Sequence, residues 1–97
     1  MIGLTRKSAL ITGAATGIGE AIAHRLAAAG ARVLLFGHDE VKLERVQAAI
    51  ARSGGTSHIS PGDVRDEASL LAAVELAEDR FGGLHIAVDV MVWTTSA

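Results

Sequence analysis

Three glycines, set in Thr12-Gly13-Ala14-Ala15-Thr16-Gly17-Ile18-Gly19, are the residues of this chain whose type and spacing can do chemistry. Unpaired backbone N–H groups in the first turn of a helix, at the positive end of its dipole, attract an anion. Gly13 suits the tight turn, Gly17 lets the backbone approach a phosphate, and Gly19 lets the helix sit close to a sheet. The expected ligand is therefore a pyrophosphate, as in a dinucleotide. No lysine stands directly after the glycines, which excludes a P-loop. His24, His38, His58 and His85 lack the spacing of metal ligands, so no metal site is expected. Glu40, Glu44, Glu75 and Glu78 fall on polar helix faces, where solvated charge is the default.

Such a cradle needs a strand leading into it and a helix leading out. Ser8-Ala9-Leu10-Ile11-Thr12 is a short apolar run of the kind buried in a parallel sheet. Beyond the glycines, Ile18, Ile22 and Leu26 recur every fourth residue among alanines, which predicts a helix with those three on its apolar face. Gly30 ends that helix. A second strand is predicted over Arg32-Val33-Leu34-Leu35-Phe36, closing at Gly37. Asp39 then caps a helix whose buried face carries Leu43, Val46 and Ile50 and which stops at Ser53-Gly54-Gly55. Thr56 to Ser60 reads as a weaker third strand running into Pro61-Gly62-Asp63-Val64. Asp66 caps a third helix with Leu70, Leu71, Val74, Ala77 and Phe81 on its buried side, ended by Gly82-Gly83. Leu84 to Val92 is the fourth strand. This βαβαβαβ alternation, without linker or repeat, predicts an α/β fold with a Rossmann-like parallel sheet of about four strands and three helices.

Composition narrows the function classes. The chain has 97 residues, 49% hydrophobic and 21% charged, as in one small globular domain. A net charge of −2 leaves no basic footprint for nucleic acid. There is no cysteine, which excludes thiol chemistry and fits a cytoplasmic location. Arg6-Lys7 precedes an apolar run, but the glycines interrupt it before a signal-peptide core is complete. No apolar run reaches the roughly 18 residues needed to span a bilayer, so no membrane partner is expected.

The order Lys7-x-Ala9-Leu10-Ile11-Thr12-Gly13-x-x-x-Gly17-Ile18-Gly19, then Asp63-Val64, then Phe81-Gly82-Gly83-Leu84, closely resembles the first part of a short-chain dehydrogenase/reductase. The resemblance extends to about Val88, so residues 1–88 are expected to be the N-terminal part of a dinucleotide-binding domain and residues 89–97 a divergent end. It implies that Gly13, Thr16, Gly17, Ile18 and Gly19 surround the pyrophosphate. It also implies that Asp63 and Val64 lie beside the adenine, with the carboxylate accepting from its amino group. At the end of the second strand an acid binds the ribose of NAD, whereas a cation tolerates the 2′-phosphate of NADP. Gly37 stands where NAD-preferring relatives carry aspartate, and His38 where NADP-preferring relatives often carry arginine. NADP(H) is therefore expected over NAD(H), with His38 at the phosphate.

The pattern departs at the fourth strand. Relatives follow it with Asn-Asn-Ala-Gly; here Asp89 replaces the first asparagine, and Met91 and Val92 replace the small residues. His85, where aspartate is usual, reads as a strand-edge residue. The serine, tyrosine and lysine that move the proton in this family lie beyond the matched part. The chain has no tyrosine, so no catalytic residue is assigned and the chain alone is expected to be inactive. Three functions are consistent with this: a truncated NAD(P)-dependent oxidoreductase, which is favoured; a non-catalytic dinucleotide-binding or regulatory module; or the product of a shortened reading frame. In a sheet ordered 3-2-1-4-5-6 the fourth strand is interior, so its open edge is expected to drive self-association.

Overall fold

The computed structural model describes residues 3–89. Seven elements follow in the order β1 (Ser8–Thr12), α1 (Gly17–Ala28), β2 (Arg32–Gly37), α2 (Glu40–Arg52), β3 (Thr56–Pro61), α3 (Glu67–Phe81) and β4 (Ile86–Asp89). The strands form one parallel sheet in the order β3-β2-β1-β4. Right-handed crossovers then dictate where the helices go. Two moves in one direction put α1 and α2 on one face, and the return from β3 across to β4 puts α3 on the other. This is the Rossmann-like arrangement expected from the sequence.

Two apolar layers result. On one face Ile11, Val33 and Leu35 pack with Ala23 and Ala27 of α1 and with Leu43, Val46 and Ile50 of α2. On the other, Leu10, Leu34 and Phe36 meet Ala73, Ala77 and Phe81 of α3. Alternate residues of β1 and β2 thus serve opposite layers, and every residue of β1 is buried. The edge strand β3 is half-exposed.

The caps are those predicted. Asp39 accepts from the Lys42 amide at 3.2 Å, Asp66 from the Ala68 amide at 3.1 Å, and Gly82 closes α3 in the left-handed region at φ 80°. Each such side-chain cap contributes about 1 kcal/mol.

The apolar face of α1 is only in part the one expected. Ile22 and Leu26 pack, partly buried, against the core, but Ile18 is 69% exposed, and the buried stripe is Gly19, Ala23 and Ala27. The cause is steric: a Cβ on Gly19 would stand 2.0 Å from the Gly13 carbonyl oxygen. That close approach fixes the rotation of α1, and Ile18, one residue earlier, is turned about 100° away. Leu71 is likewise 55% exposed, its place on α3 taken by Ala73. β3 runs one residue further than predicted, to Pro61, and β4 starts two residues later, at Ile86. The predicted continuation of β4 through Val92 lies outside the described residues.

Candidate functional site

All four strands are parallel, so their C-terminal ends share one edge, where ligands of open α/β sheets bind. The glycine loop leaves that edge from β1, the neighbour of both β2 and β4, where the strand order reverses. Gly13 adopts φ 64° to make the turn. Its carbonyl accepts from the Thr16 amide at 3.0 Å and from the Thr16 hydroxyl at 2.7 Å. The same hydroxyl oxygen caps α1 by accepting from the Gly19 amide at 3.2 Å. Thr16 thereby welds the loop to the helix. The Gly17 and Ile18 amides make no hydrogen bond among the described residues, as expected for donors at a helix start. A Cβ on Gly17 would meet nothing within 4 Å. The two glycines therefore differ: Gly19 is required by packing, whereas Gly17 faces open space where an anion could approach.

His38 follows β2 and is exposed. Asp63 and Val64 follow β3. A hydrogen bond of 2.8 Å from the Gly62 amide to the Gly37 carbonyl ties the two strand ends together. Gly62 has no room for a side chain, since its Cβ would lie 2.8 Å from the Phe36 ring and 2.9 Å from Ser69. Asp63 is held by Arg65. Oδ1 accepts from the Arg65 amide at 2.9 Å and from Nε at 3.2 Å, and Oδ2 accepts from Nη2 at 2.9 Å. These bonds lower the Asp63 pKa to about 2, the Arg65 side chain first, its backbone amide next, with a smaller contribution from the charge of His38. The partnership with Arg65 was not anticipated from the sequence; the opposite charges two residues apart after a strand were the available signal.

The remaining histidines have structural partners. His24 lies 3.6 Å from Glu20 on α1. His58 packs on Phe81 with ring centroids 5.6 Å apart. His85 Nδ1 accepts from the Ser8 amide at 3.0 Å, and the Ser8 hydroxyl bonds the Gly83 carbonyl, fixing the entry to β4 beside β1. Among the described residues no group of three His, Cys, Asp or Glu is placed to hold a metal.

Asp89 ends β4 in register with Thr12, whose hydroxyl donates to Oδ1 at 2.5 Å. Beside them, between α3 and the β1–β4 pair, opens a cleft of about 620 Å³ with Leu10, Leu70, Val74 and Leu84 in its wall and Thr12, Arg65 and Asp89 among its polar groups. Of the residues expected at the cofactor only Val64 lines it; the glycine cradle lies outside.

The family model described as short chain dehydrogenase matches residues 7–92. The chain belongs to the short-chain dehydrogenase family. Among its relatives, the 2,3-dihydro-2,3-dihydroxybenzoate dehydrogenase of Bacillus subtilis is 39% identical over 88 residues, covering 91% of this chain and 34% of that protein. A short-chain type dehydrogenase/reductase from Mycobacterium marinum superposes with a TM-score of 0.90 at 33% identity, over 99% of this chain and 39% of its own. A metagenomic short-chain oxidoreductase crystallised in complex with NADP gives a TM-score of 0.80 at 31% identity, over 86% of this chain and 38% of its own. This short-chain dehydrogenase chain spans about a third of the length of those relatives. Among the described residues no helix is long and apolar enough to cross a membrane.

Proposed function

We propose that this chain is the dinucleotide-binding part of an NAD(P)-dependent oxidoreductase, with NADP(H) preferred. The observation that carries this is the contrast within the glycine loop: Gly19 is packed against the Gly13 carbonyl while Gly17 is open to a ligand. Gly13, Thr16, Gly17, Ile18 and Gly19 would hold the pyrophosphate on the amides of the first helical turn. Asp63 and Val64 would take the adenine, and His38 the 2′-phosphate, Gly37 contributing no acid to repel it. The NADP bound by the metagenomic relative supports this choice. The nicotinamide supplies hydride chemistry when bound; the chain's own residues bind and orient the adenine half. The 97 residues contain no tyrosine, so we assign no proton donor among them. A cysteine-free chain fits a reducing cytoplasm as its compartment.

Calorimetric titration of the 97-residue chain with NADP⁺ and NAD⁺ tests the proposal. Tighter binding of NADP⁺ is expected. Tighter binding of NAD⁺ overturns the preference, and binding of neither overturns the cofactor assignment.

A further inference from the structure

We propose that Arg65 is a positioning residue for base recognition, fixing the Asp63 carboxylate as the acceptor for the exocyclic amino group of a 6-aminopurine. The inference rests on the assignment of Asp63 and Val64 to the base. The backbone that carries Asp63 is held on both sides. Gly62 is wedged between Phe36 and Ser69, the Asp63 carbonyl accepts from the Asp66 amide at 2.9 Å, and Asp66 caps α3. What remains to be set is the direction of the carboxylate. Arg65 sets it through a planar guanidinium that engages both oxygens, Nε at 3.2 Å from Oδ1 and Nη2 at 2.9 Å from Oδ2, while its own amide also bonds Oδ1. Two-point contact by a rigid fork holds a plane, which a single point charge does not.

The clamp leaves the carboxylate usable. Asp63 keeps 44% of its side chain exposed, and an ionised carboxylate has about four acceptor sites, so a base amino group can add to the pair without displacing Arg65. The arginine side chain is 86% exposed, and an ion pair so wet adds little to stability. Its effect is directional. An ionised carboxylate accepts only, so it favours a purine with an amino group at the 6-position over hypoxanthine, which presents a carbonyl there and leaves the acceptor unpaired. Val64, next in the chain and exposed, offers an apolar surface for the ring.

The test is titration of the 97-residue chain and its variants with ADP and IDP, which differ at that position. Wild type is expected to prefer ADP by roughly tenfold, as for a hydrogen bond to a charged group. Asp63→Asn should abolish the preference. Arg65→Ala should reduce it to about twofold, and Arg65→Lys should restore only part of it, because an ammonium cannot clamp both oxygens. The thermal midpoint of Arg65→Ala should match wild type, separating direction from folding. If Asp63→Asn removes the preference and Arg65→Ala leaves it intact, the role of Arg65 is overturned while the base assignment stands. If neither nucleotide binds, or Asp63→Asn changes nothing, the base assignment falls and the inference with it.

Discussion

The hydroxyl of Thr12 and the carboxylate of Asp89, 77 residues apart in the chain, meet at 2.5 Å across the last register of the β1–β4 pair. Thr12 ends the strand that delivers the chain into the glycine loop, so this contact sets a carboxylate at the strand end that leads into the proposed phosphate cradle. Asp89→Asn should keep the bond, because an amide oxygen also accepts, and change stability by less than about 0.5 kcal/mol. Removing the charge should tighten dinucleotide binding by about two- to fivefold at low salt, less at high salt. Calorimetry at two salt concentrations, alongside thermal unfolding, checks both expectations; equal affinity in the two proteins would dismiss the electrostatic account.

Gly19→Ala and Gly17→Ala should fail in opposite ways. A methyl on Gly19 collides with the Gly13 carbonyl, an unyielding backbone atom. Overpacking of this kind costs about 1–3 kcal/mol. At Gly17 the methyl meets nothing, and exchange of glycine for alanine in a helix gains up to about 1 kcal/mol. The same methyl would stand where a phosphate should approach. Denaturation curves and cofactor titrations on the two variants should therefore separate stability from binding, with Gly17→Ala stable but binding-deficient.

Gly37→Asp should turn the cofactor preference toward NAD⁺. The nearest atom to a Cβ there belongs to the flexible Leu43 side chain, at 3.4 Å, so the variant should fold. An acid at the end of the second strand favours the ribose hydroxyls and repels a 2′-phosphate. A reversal of the NADP⁺ to NAD⁺ affinity ratio by tenfold or more, about 1.4 kcal/mol, is the expected readout. An unchanged ratio would show that the ribose lies elsewhere.

Asp63 should titrate near pH 2, held down first by the Arg65 side chain and next by the Arg65 amide. A carboxylate whose pKa is lower folded than unfolded contributes its stabilisation above the unfolded value, and loses it as pH falls through the folded one. The small contribution of this exposed pair is therefore lost from about pH 4 down to about 2. Carbon-detected NMR titration of the Asp63 carboxyl should report the low value in wild type and a return toward the ordinary carboxylate range in Arg65→Ala. A normal pKa in wild type would mean the pair does not persist in solution.

Self-association is expected at the β4 edge, because among the described residues β4 pairs only with β1. Unpaired edge groups and an adjoining apolar cleft favour contact with another chain. Ala87→Lys, at an exposed position of β4, should shift the sedimentation profile toward monomer. A wild-type chain that is already monomeric at all concentrations would refute this.

The fold was legible because its signals are local. Leu43, Val46 and Ile50 announce the buried face of α2, Asp39 and Asp66 the helix starts, and Gly82 a helix end, and all appear in the structure in those places. On α1, Ile18 was misplaced because hydropathy gives it weight, whereas contact distance favours Gly19 and the alanines. Small residues carry almost no periodic signal, yet they decide how closely a helix approaches a sheet. The glycine loop was legible as strand, turn and helix start. Asp63 was assigned through the family resemblance, and its clamp by Arg65 depends on a turn geometry that no spacing rule specifies.

Sequence by itself determined the element order, the caps at Asp39 and Asp66 and the glycine spacing, because each of these is settled within a few neighbouring residues. Tertiary structure alone decided that Ile18 turns to solvent, that Gly62 and Gly37 join the ends of β2 and β3, and that Thr12 bonds Asp89. Those relations depend on how strands register and how near a helix may come to them, distances fixed only when every layer is packed at once.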